Sequence, residues 1–279
     1  MRYYTCILCD SDDAEPVITY KGFSMVECKH CRLVYQVPRP EQEELNKLYK
    51  TYHIRKGKGP ENWWVMMRRI FVSTVSLITE YYPNGGSVLD IGCGYGHFLW
   101  IMKERGWTVQ GIDPSPETVA YAHSRGLRVF EGNFEEFDAS AESFDVITMF
   151  YVLEHLIEPV DALKKVWRLL KPGGMLVIRV PHTTPLVKLL KFLYIPNNLY
   201  DLPFHIYDYS PPTLRELLKK TGFSGVKIFV GKPTSPPSIF IKMFSLITGY
   251  TAHFLERITV GRILMPGVSK TAISFKKGK

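Results

Sequence analysis

An α/β fold is predicted by three observations: a doubly wound, mostly parallel sheet with helices on both faces, preceded by a small N-terminal zinc ribbon. First, apolar runs of strand length alternate with amphipathic stretches of helical period from about residue 87 to residue 230. Second, Ser87-Val88-Leu89-Asp90-Ile91 runs into Gly92-Cys93-Gly94-Tyr95-Gly96-His97-Phe98-Leu99, a strand that turns into a helix through three alternate glycines. Third, Cys6, Cys9, Cys28 and Cys31 form C-x2-C-x18-C-x2-C, two pairs at the separation of a tetrahedral zinc site.

Each element has its own signal. Val17-Ile18-Thr19-Tyr20, Lys21-Gly22 and Phe23-Ser24-Met25-Val26 predict a hairpin that folds one cysteine pair back on the other. Four cysteines close the coordination shell, so the zinc is expected to be structural; two disulfides are the alternative. Pro38 and Pro40 mark a boundary after residues 1–40. Residues 41–82 then read as a linker and a helix. The linker carries a basic loop with Arg55, Lys56 and Lys58, and the helix runs from Glu61 to Tyr82 with an apolar stripe through Trp64, Met67, Ile70, Phe71, Val75 and Ile78. Pro83-Asn84-Gly85-Gly86 stops it. From residue 83 to 279, strands are expected near 87–91, 109–112, 127–130, 144–150, 175–180 and 225–230, with helices near 97–105, 116–125, 160–170 and 212–221. A helix over 239–257 and a last strand at Ala272-Ile273-Ser274-Phe275 complete the chain.

In such sheets ligands bind beyond the carboxyl ends of the strands. Asp90, Asp113, Asn133 and Tyr151 all fall at or just past such ends. The acid two residues before the first glycine repels a pyrophosphate and suits a ligand with an ammonium group.

This pattern, D-x-G-x-G-x-G, resembles the nucleotide loop of the class I S-adenosylmethionine-dependent methyltransferases, a Rossmann-like family. Val109-Gln110-Gly111-Ile112-Asp113-Pro114-Ser115 resembles that family's second strand, Glu131-Gly132-Asn133-Phe134 its adenine-contacting turn, and Phe144-Asp145-Val146-Ile147 through Leu153-Glu154-His155-Leu156 its fourth strand and the helix after it. Leu170-Lys171-Pro172-Gly173-Gly174 matches the turn into the fifth strand. The resemblance implies S-adenosylmethionine as methyl donor. It would be held by Asp90 at the methionyl part, by the loop Gly92, Gly94, Tyr95 and Gly96, by Asp113 at the ribose diol, by Asn133 and Phe134 at the adenine, and by Tyr151. It also implies that a last strand inserts antiparallel beside the fifth. The segment after the zinc ribbon, with Tyr49 and Tyr52, resembles one branch of the family, often found with pathways for cell-surface sugars, in which it folds over the cofactor pocket.

The acceptor is expected to be a small molecule, a sugar or lipid-linked intermediate of cell-surface or secondary metabolism. If its methylated atom is a hydroxyl or an activated carbon, a general base helps. His155, just past the fourth strand, is the first candidate; His182 and His205 are the next. Substrate choice is expected to lie in residues 182–210, where Leu186 to Ile195 predict a broadly hydrophobic helix with a basic edge from Lys188 and Lys191. That helix would cap the pocket, dock on the fold or touch a membrane surface, in that order of preference. A cytoplasmic location is expected, since the chain starts without an apolar signal core and has no run of about 18 uncharged apolar residues. The net charge of +8 permits an anionic substrate, an anionic membrane or RNA and selects none of them. RNA methylation is the alternative function, and a non-catalytic cofactor-binding protein the third. Against RNA, no N-P-P-aromatic motif follows the fourth strand and no spare cysteine is placed to attack a pyrimidine. The sequence leaves the oligomeric state open.

Overall fold

The computed structural model describes residues 5–41, 43–45, 59–234, 251 and 269–278. The expectations for Tyr49 and Tyr52, for the basic loop with Arg55, Lys56 and Lys58 and, apart from Thr251, for the helix over 239–257 lie outside the described residues.

Strands β1 (Ala14–Tyr20) and β2 (Phe23–Cys28) form the expected hairpin, turning at Lys21 and Gly22 with φ of 48° and 84°. Two residues at positive φ give the turn whose twist matches that of the flanking strands. β3 (Val34–Val37) pairs antiparallel with β2. The fourth strand of this small sheet, β9 (Tyr207–Asp208), comes from far along the chain and pairs with β3.

The main sheet has seven strands. β4 (Ser87–Ile91), β5 (Thr108–Asp113), β6 (Val129–Glu131), β7 (Phe144–Phe150) and β8 (Leu170–Val180) are parallel. β10 (Ser224–Val230) closes the far edge, and β11 (Lys270–Phe275) is inserted antiparallel between β8 and β10, as the resemblance implies. The order is β10-β11-β8-β7-β4-β5-β6. The chain winds outward from β4 in one direction and resumes at β7 on the other side, so the crevice lies between β4 and β7. β8 begins five residues before the expected 175. The reason is pairing with the chain beyond β11: Gly173 N–H donates to Lys276 O at 3.0 Å, and Lys276 N–H to Gly174 O at 2.9 Å.

Both faces of the sheet are covered. Val88, Val146 and Val177 pack with Met67, Phe71 and Val75 of α1 (Pro60–Tyr81) and with Phe98 and Leu99 of α2 (His97–Lys103). Their neighbours Leu89, Ile147 and Leu176 point to the other face, where α4 (Pro159–Leu169) contributes Leu163 and Val166 and α6 (Pro211–Lys220) contributes Leu214 and Leu217. Alternation along each strand thus feeds two cores. α3 (Pro116–Ser124) joins the first core through Val119 and Ala122.

Helix α5 (Thr184–Phe192) lies in the segment expected to cap the substrate. Its buried Val187 packs with Val17, Met25 and Val34 of the small sheet, together with Tyr200 and Leu202. The helix body therefore docks on the cysteine module, the second of the three expected dispositions.

Candidate active site

A cavity of about 460 Å³ opens beyond the carboxyl ends of the parallel strands. Its floor is built by the sharp turns after each strand. After β4 come Gly92 and Gly94, after β5 Asp113, Pro114 and Ser115, after β6 Gly132, Asn133 and Phe134, and after β7 Tyr151 through Leu156 except Leu153. Gly92 has φ of 70°, and a Cβ there would lie 2.4 Å from Val152 Cγ2, so both the turn and the close approach of the chain require glycine.

Asp113 is 5% exposed and lines the cavity. Its Oδ1 accepts from Ser115 N–H at 3.0 Å and Thr118 Oγ1–H at 2.7 Å, and its Oδ2 accepts from Gly94 N–H at 2.7 Å. A carboxylate has about four acceptor sites, so Oδ2 keeps one. The Asn133 side-chain amide donates to Glu136 Oε1 at 3.4 Å, which leaves its carbonyl oxygen as an acceptor. Phe134 is buried beneath Lys165, whose ammonium stands 4.8 Å from the ring centre.

Three expected cofactor residues stand apart from this wall. Asp90 is buried behind the glycine turn, where Oδ1 accepts from Thr148 Oγ1–H at 2.6 Å. Burial pushes its carboxyl up to about 8, the Asp113 charge adds to this, and the Thr148 hydrogen bond opposes it. Tyr95 and Gly96 line a separate cavity of about 320 Å³ with Trp64, Trp100 and Tyr121. The Tyr95 hydroxyl donates there to Glu117 Oε1 at 3.2 Å.

The opposite wall carries the histidines. Residues Leu153–His155 form a 3-10 turn directly after β7. Tyr151, which precedes it, holds a positive φ of 58° and is tied down through its hydroxyl, which accepts from Arg179 Nε–H at 2.8 Å and lies 3.0 Å from Ser269 Oγ. His155 Nδ1 lies 2.8 Å from Phe204 O. Only an N–H bonds to a carbonyl, so in the neutral ring the lone pair sits on Nε2. His205 packs edge-on against His155 with ring centres 4.8 Å apart, and both line the cavity. His182 is buried and does not line it.

Glu154 is the residue whose role the sequence understates. It is 1% exposed, both carboxyl oxygens lack a hydrogen-bond partner, and burial pushes its carboxyl up to about 8. Ligand-type atoms of Glu154, His155 and His205 lie within 4.8 Å of one another. Helix α1 adds Trp63, Met66 and Met67 to the wall, although its stripe reads simply as core. Pro181, Asp201, Thr234 and Ser269 complete it, and no motif in the sequence marks them.

The cysteines converge as the spacing predicts. Cys6 and Cys31 Sγ are 3.3 Å apart, Cys9 and Cys28 Sγ 3.5 Å, and all four lie within 4.8 Å of one another. These separations are far longer than an S–S bond of about 2.05 Å. They approach the edge of a tetrahedron with metal–sulfur bonds of about 2.3 Å. Burial raises the Cys6 and Cys31 thiols, whereas backbone N–H groups of Cys31 and His30 bring Cys28 down to about 7 against its own desolvation.

A family model described as a methyltransferase domain matches residues 64–228. A probable S-adenosylmethionine-dependent methyltransferase of Mycolicibacterium smegmatis is 28% identical over 170 residues, 60% of this chain and 62% of that protein, so the chain spans less than two thirds of this relative. A ubiquinone biosynthesis O-methyltransferase of Pseudomonas putida is 32% identical over 173 residues, 58% of this chain and 74% of that protein. Among solved structures, the Burkholderia thailandensis 1,6-didemethyltoxoflavin-N1-methyltransferase, with bound 1,6-didemethyltoxoflavin and S-adenosylhomocysteine, is 18% identical. It covers 95% of this chain and 100% of its own at a TM-score of 0.56. A putative methyltransferase in complex with the Haloferax volcanii Trm112 activator is 15% identical, covers 84% of this chain and 98% of its own, and has a TM-score of 0.58. Both structures share the fold.

Proposed function

The chain belongs to the S-adenosylmethionine-dependent methyltransferases, and from that premise we propose that it methylates a hydroxyl or activated carbon of a small-molecule acceptor. A sugar or lipid-linked intermediate is the acceptor class we favour. The observation that carries this reading is the division of one cavity into two walls: Gly92, Gly94, Asp113, Asn133 and Phe134 on one side, His155 and His205 on the other.

The bound donor supplies a methyl sulfonium, a good leaving group, so transfer is an in-line displacement that depends on alignment. Asp113 Oδ2 is proposed to accept from the ribose, the Asn133 carbonyl from the adenine amino group, and Phe134 to pack against the base. Tyr151 closes the methionyl end, with Gly92 and Gly94 giving the backbone approach. Tyr95, Gly96 and Asp90 act from behind by holding the loop. As the acceptor's new bond to carbon forms, His155 Nε2 takes the acceptor's proton. Its Nδ1–H bond to Phe204 O fixes the tautomer for that step. Cys6, Cys9, Cys28 and Cys31 hold a structural zinc.

Incubation with deuteromethyl-labelled donor and a panel of nucleotide sugars, lipid-linked sugars and RNA, read by mass spectrometry, tests the acceptor class. With an acceptor in hand, His155→Ala should turn over roughly 10²- to 10⁴-fold more slowly while binding the donor nearly as well. Full activity in the variant would remove His155 as the base. A second reading rests on the two unpartnered oxygens of Glu154: Glu154, His155 and His205 hold a divalent cation beside the acceptor. It requires two metals per chain in the parent and one in Glu154→Gln, whereas the base reading requires one in both.

A further inference from the structure

One buried cation of the main sheet has no counter-charge among the described residues. Arg179 of β8 is 2% exposed. Its Nε–H donates to the Tyr151 hydroxyl at 2.8 Å, Nη1–H to Thr271 Oγ1 at 3.1 Å and Nη2–H to Lys232 O at 2.7 Å. All three acceptors are neutral. Four acids line the active-site cavity, Asp113, Glu135, Glu154 and Asp201, and none of them pairs with Arg179. Asp113 is held by three donors, and the charges of Glu135 and Glu154 act on Lys165 and Lys270. A guanidinium keeps its proton in a protein, so this charge cannot be relieved by titration. Burying a charge without an opposite one is costly, and a ligand that brings the opposite one recovers that cost.

The chain is shaped around this guanidinium. A Cβ at Gly231, just past β10, would lie 1.8 Å from Nη1, so the residue there is glycine. Tyr151 takes its positive φ of 58° directly after β7 and sets its ring 5.6 Å from the guanidinium carbon. A bulky residue in the left-handed region is strained, and strain of this kind gathers where a ligand is held.

Tyr151 passes the charge to the cavity. Its oxygen accepts from Arg179, and its proton goes to Ser269 Oγ at 3.0 Å. Ser269 lines the cavity, and its own hydroxyl proton has no acceptor among the described residues. Each hydrogen bond in such a chain polarises the next. The Ser269 hydroxyl is therefore a strengthened donor at the cavity wall, suited to a negatively charged oxygen. The order of the strands says which oxygen arrives. β6, β5, β4 and β7 lie side by side, and Asn133, Asp113, Gly92 and Tyr151 follow them in that order. With adenine at Asn133 and ribose at Asp113, the sulfonium tail crosses β4 and ends at β7, three strand spacings or about 14 Å from β6. The end of that tail carries the donor's one anionic group, a carboxylate.

We propose that the Ser269 hydroxyl binds the methionyl carboxylate of S-adenosylmethionine, with Arg179 and Tyr151 as positioning residues that supply its polarisation. The proposal rests on the donor site of the preceding subsection and adds the group that selects a donor with an amino-acid tail over one with a simple amine tail.

Titration calorimetry on the full chain compares S-adenosylmethionine with its decarboxylated form, which keeps the adenine, the ribose and the sulfonium. The parent should bind the carboxylated donor more tightly. Ser269→Ala should weaken that binding about tenfold and leave the affinity for the decarboxylated donor within about twofold, so that the ratio of the two affinities collapses. Tyr151→Phe keeps the ring, cuts the relay and leaves the buried guanidinium in place; it should lower the ratio in the same way. A change of shape alone would weaken both donors alike. Equal losses for the two donors in Ser269→Ala, or a ratio that does not move, would overturn the proposal and leave the donor site standing. A parent that binds neither compound would overturn the donor site and the proposal with it.

Discussion

At the scale of single residues, the acids differ in what their surroundings do to them. Asp113 is surrounded by three donors and lines the cavity, whereas Asp90 has one donor and is buried outside its lining. The spacing of Asp90 from the glycines is legible in the sequence, but its depth behind the turn is not, because depth depends on Thr148 of a strand 58 residues away. Its consequence is a pH dependence. An acid whose folded pKa is raised, here from 3.8 to about 8, stabilises the fold fully below its unfolded value. That contribution is lost as pH rises through the folded value. The ligand-free protein should therefore lose stability on the order of a few kcal/mol between about pH 4 and pH 8. Denaturant unfolding at pH 5 and pH 8 should show a smaller loss in Asp90→Asn than in the parent, and equal losses would place the effect on other groups. Glu154 behaves in the same way. Beside His155 in the sequence it reads as a loop acid, but in the fold it is 1% exposed; burial raises its carboxyl, the Lys270 charge opposes the rise and the Asp208 charge adds to it.

At the scale of elements, strands with their own periodicity were legible nearly to the residue: β4 and β7 fall where their apolar runs lie, and the hairpin turns at Lys21-Gly22. Elements that exist only through a partner were not. β9 is two residues long, too short for any period, and is a strand only because Tyr35 and Val34 of β3 pair with it. The docking of α5 on the cysteine module is equally invisible, since its seat is assembled from residues about 160 positions earlier, including the Glu27 that meets Lys188. This coupling makes a prediction. If a zinc ion orders Cys6, Cys9, Cys28 and Cys31, chelation should loosen β1 to β3, and with them α5 and β9. Hydrogen exchange should speed up over residues 14–37 and 184–208, while β4 and β7, whose residues are buried in the two main cores, keep their protection. Faster exchange confined to residues 14–37 would show that the docked segment stands without the module. Exchange unchanged everywhere, with metal absent from the untreated protein, would remove the zinc.

At the scale of the whole molecule, the fold brings residues spread from Trp63 to Ser269 around one cavity, and the segment carrying Val187, Tyr200 and Leu202 packs on the cysteine module. Among the described residues no helix is long and apolar enough to cross a membrane. The wall with Gly92, Gly94, Asp113, Asn133 and Phe134 was readable because these residues directly follow strands in sequence. Of the opposite wall, His155 and His205 were readable from their positions after the strands, whereas Asp201, Thr234 and Ser269 were not, because no motif in the sequence marks them. The central claim is that this cavity binds S-adenosylmethionine with Asp113 as the ribose acceptor, and titration calorimetry on the parent and Asp113→Ala tests it most directly. The account predicts one site per chain in the parent and an affinity weaker by one to two decades in the variant, the loss of roughly 1.5–3 kcal/mol for a hydrogen bond to a charged group. No heat from the parent, or equal affinity in a variant that keeps its fold, would contradict it.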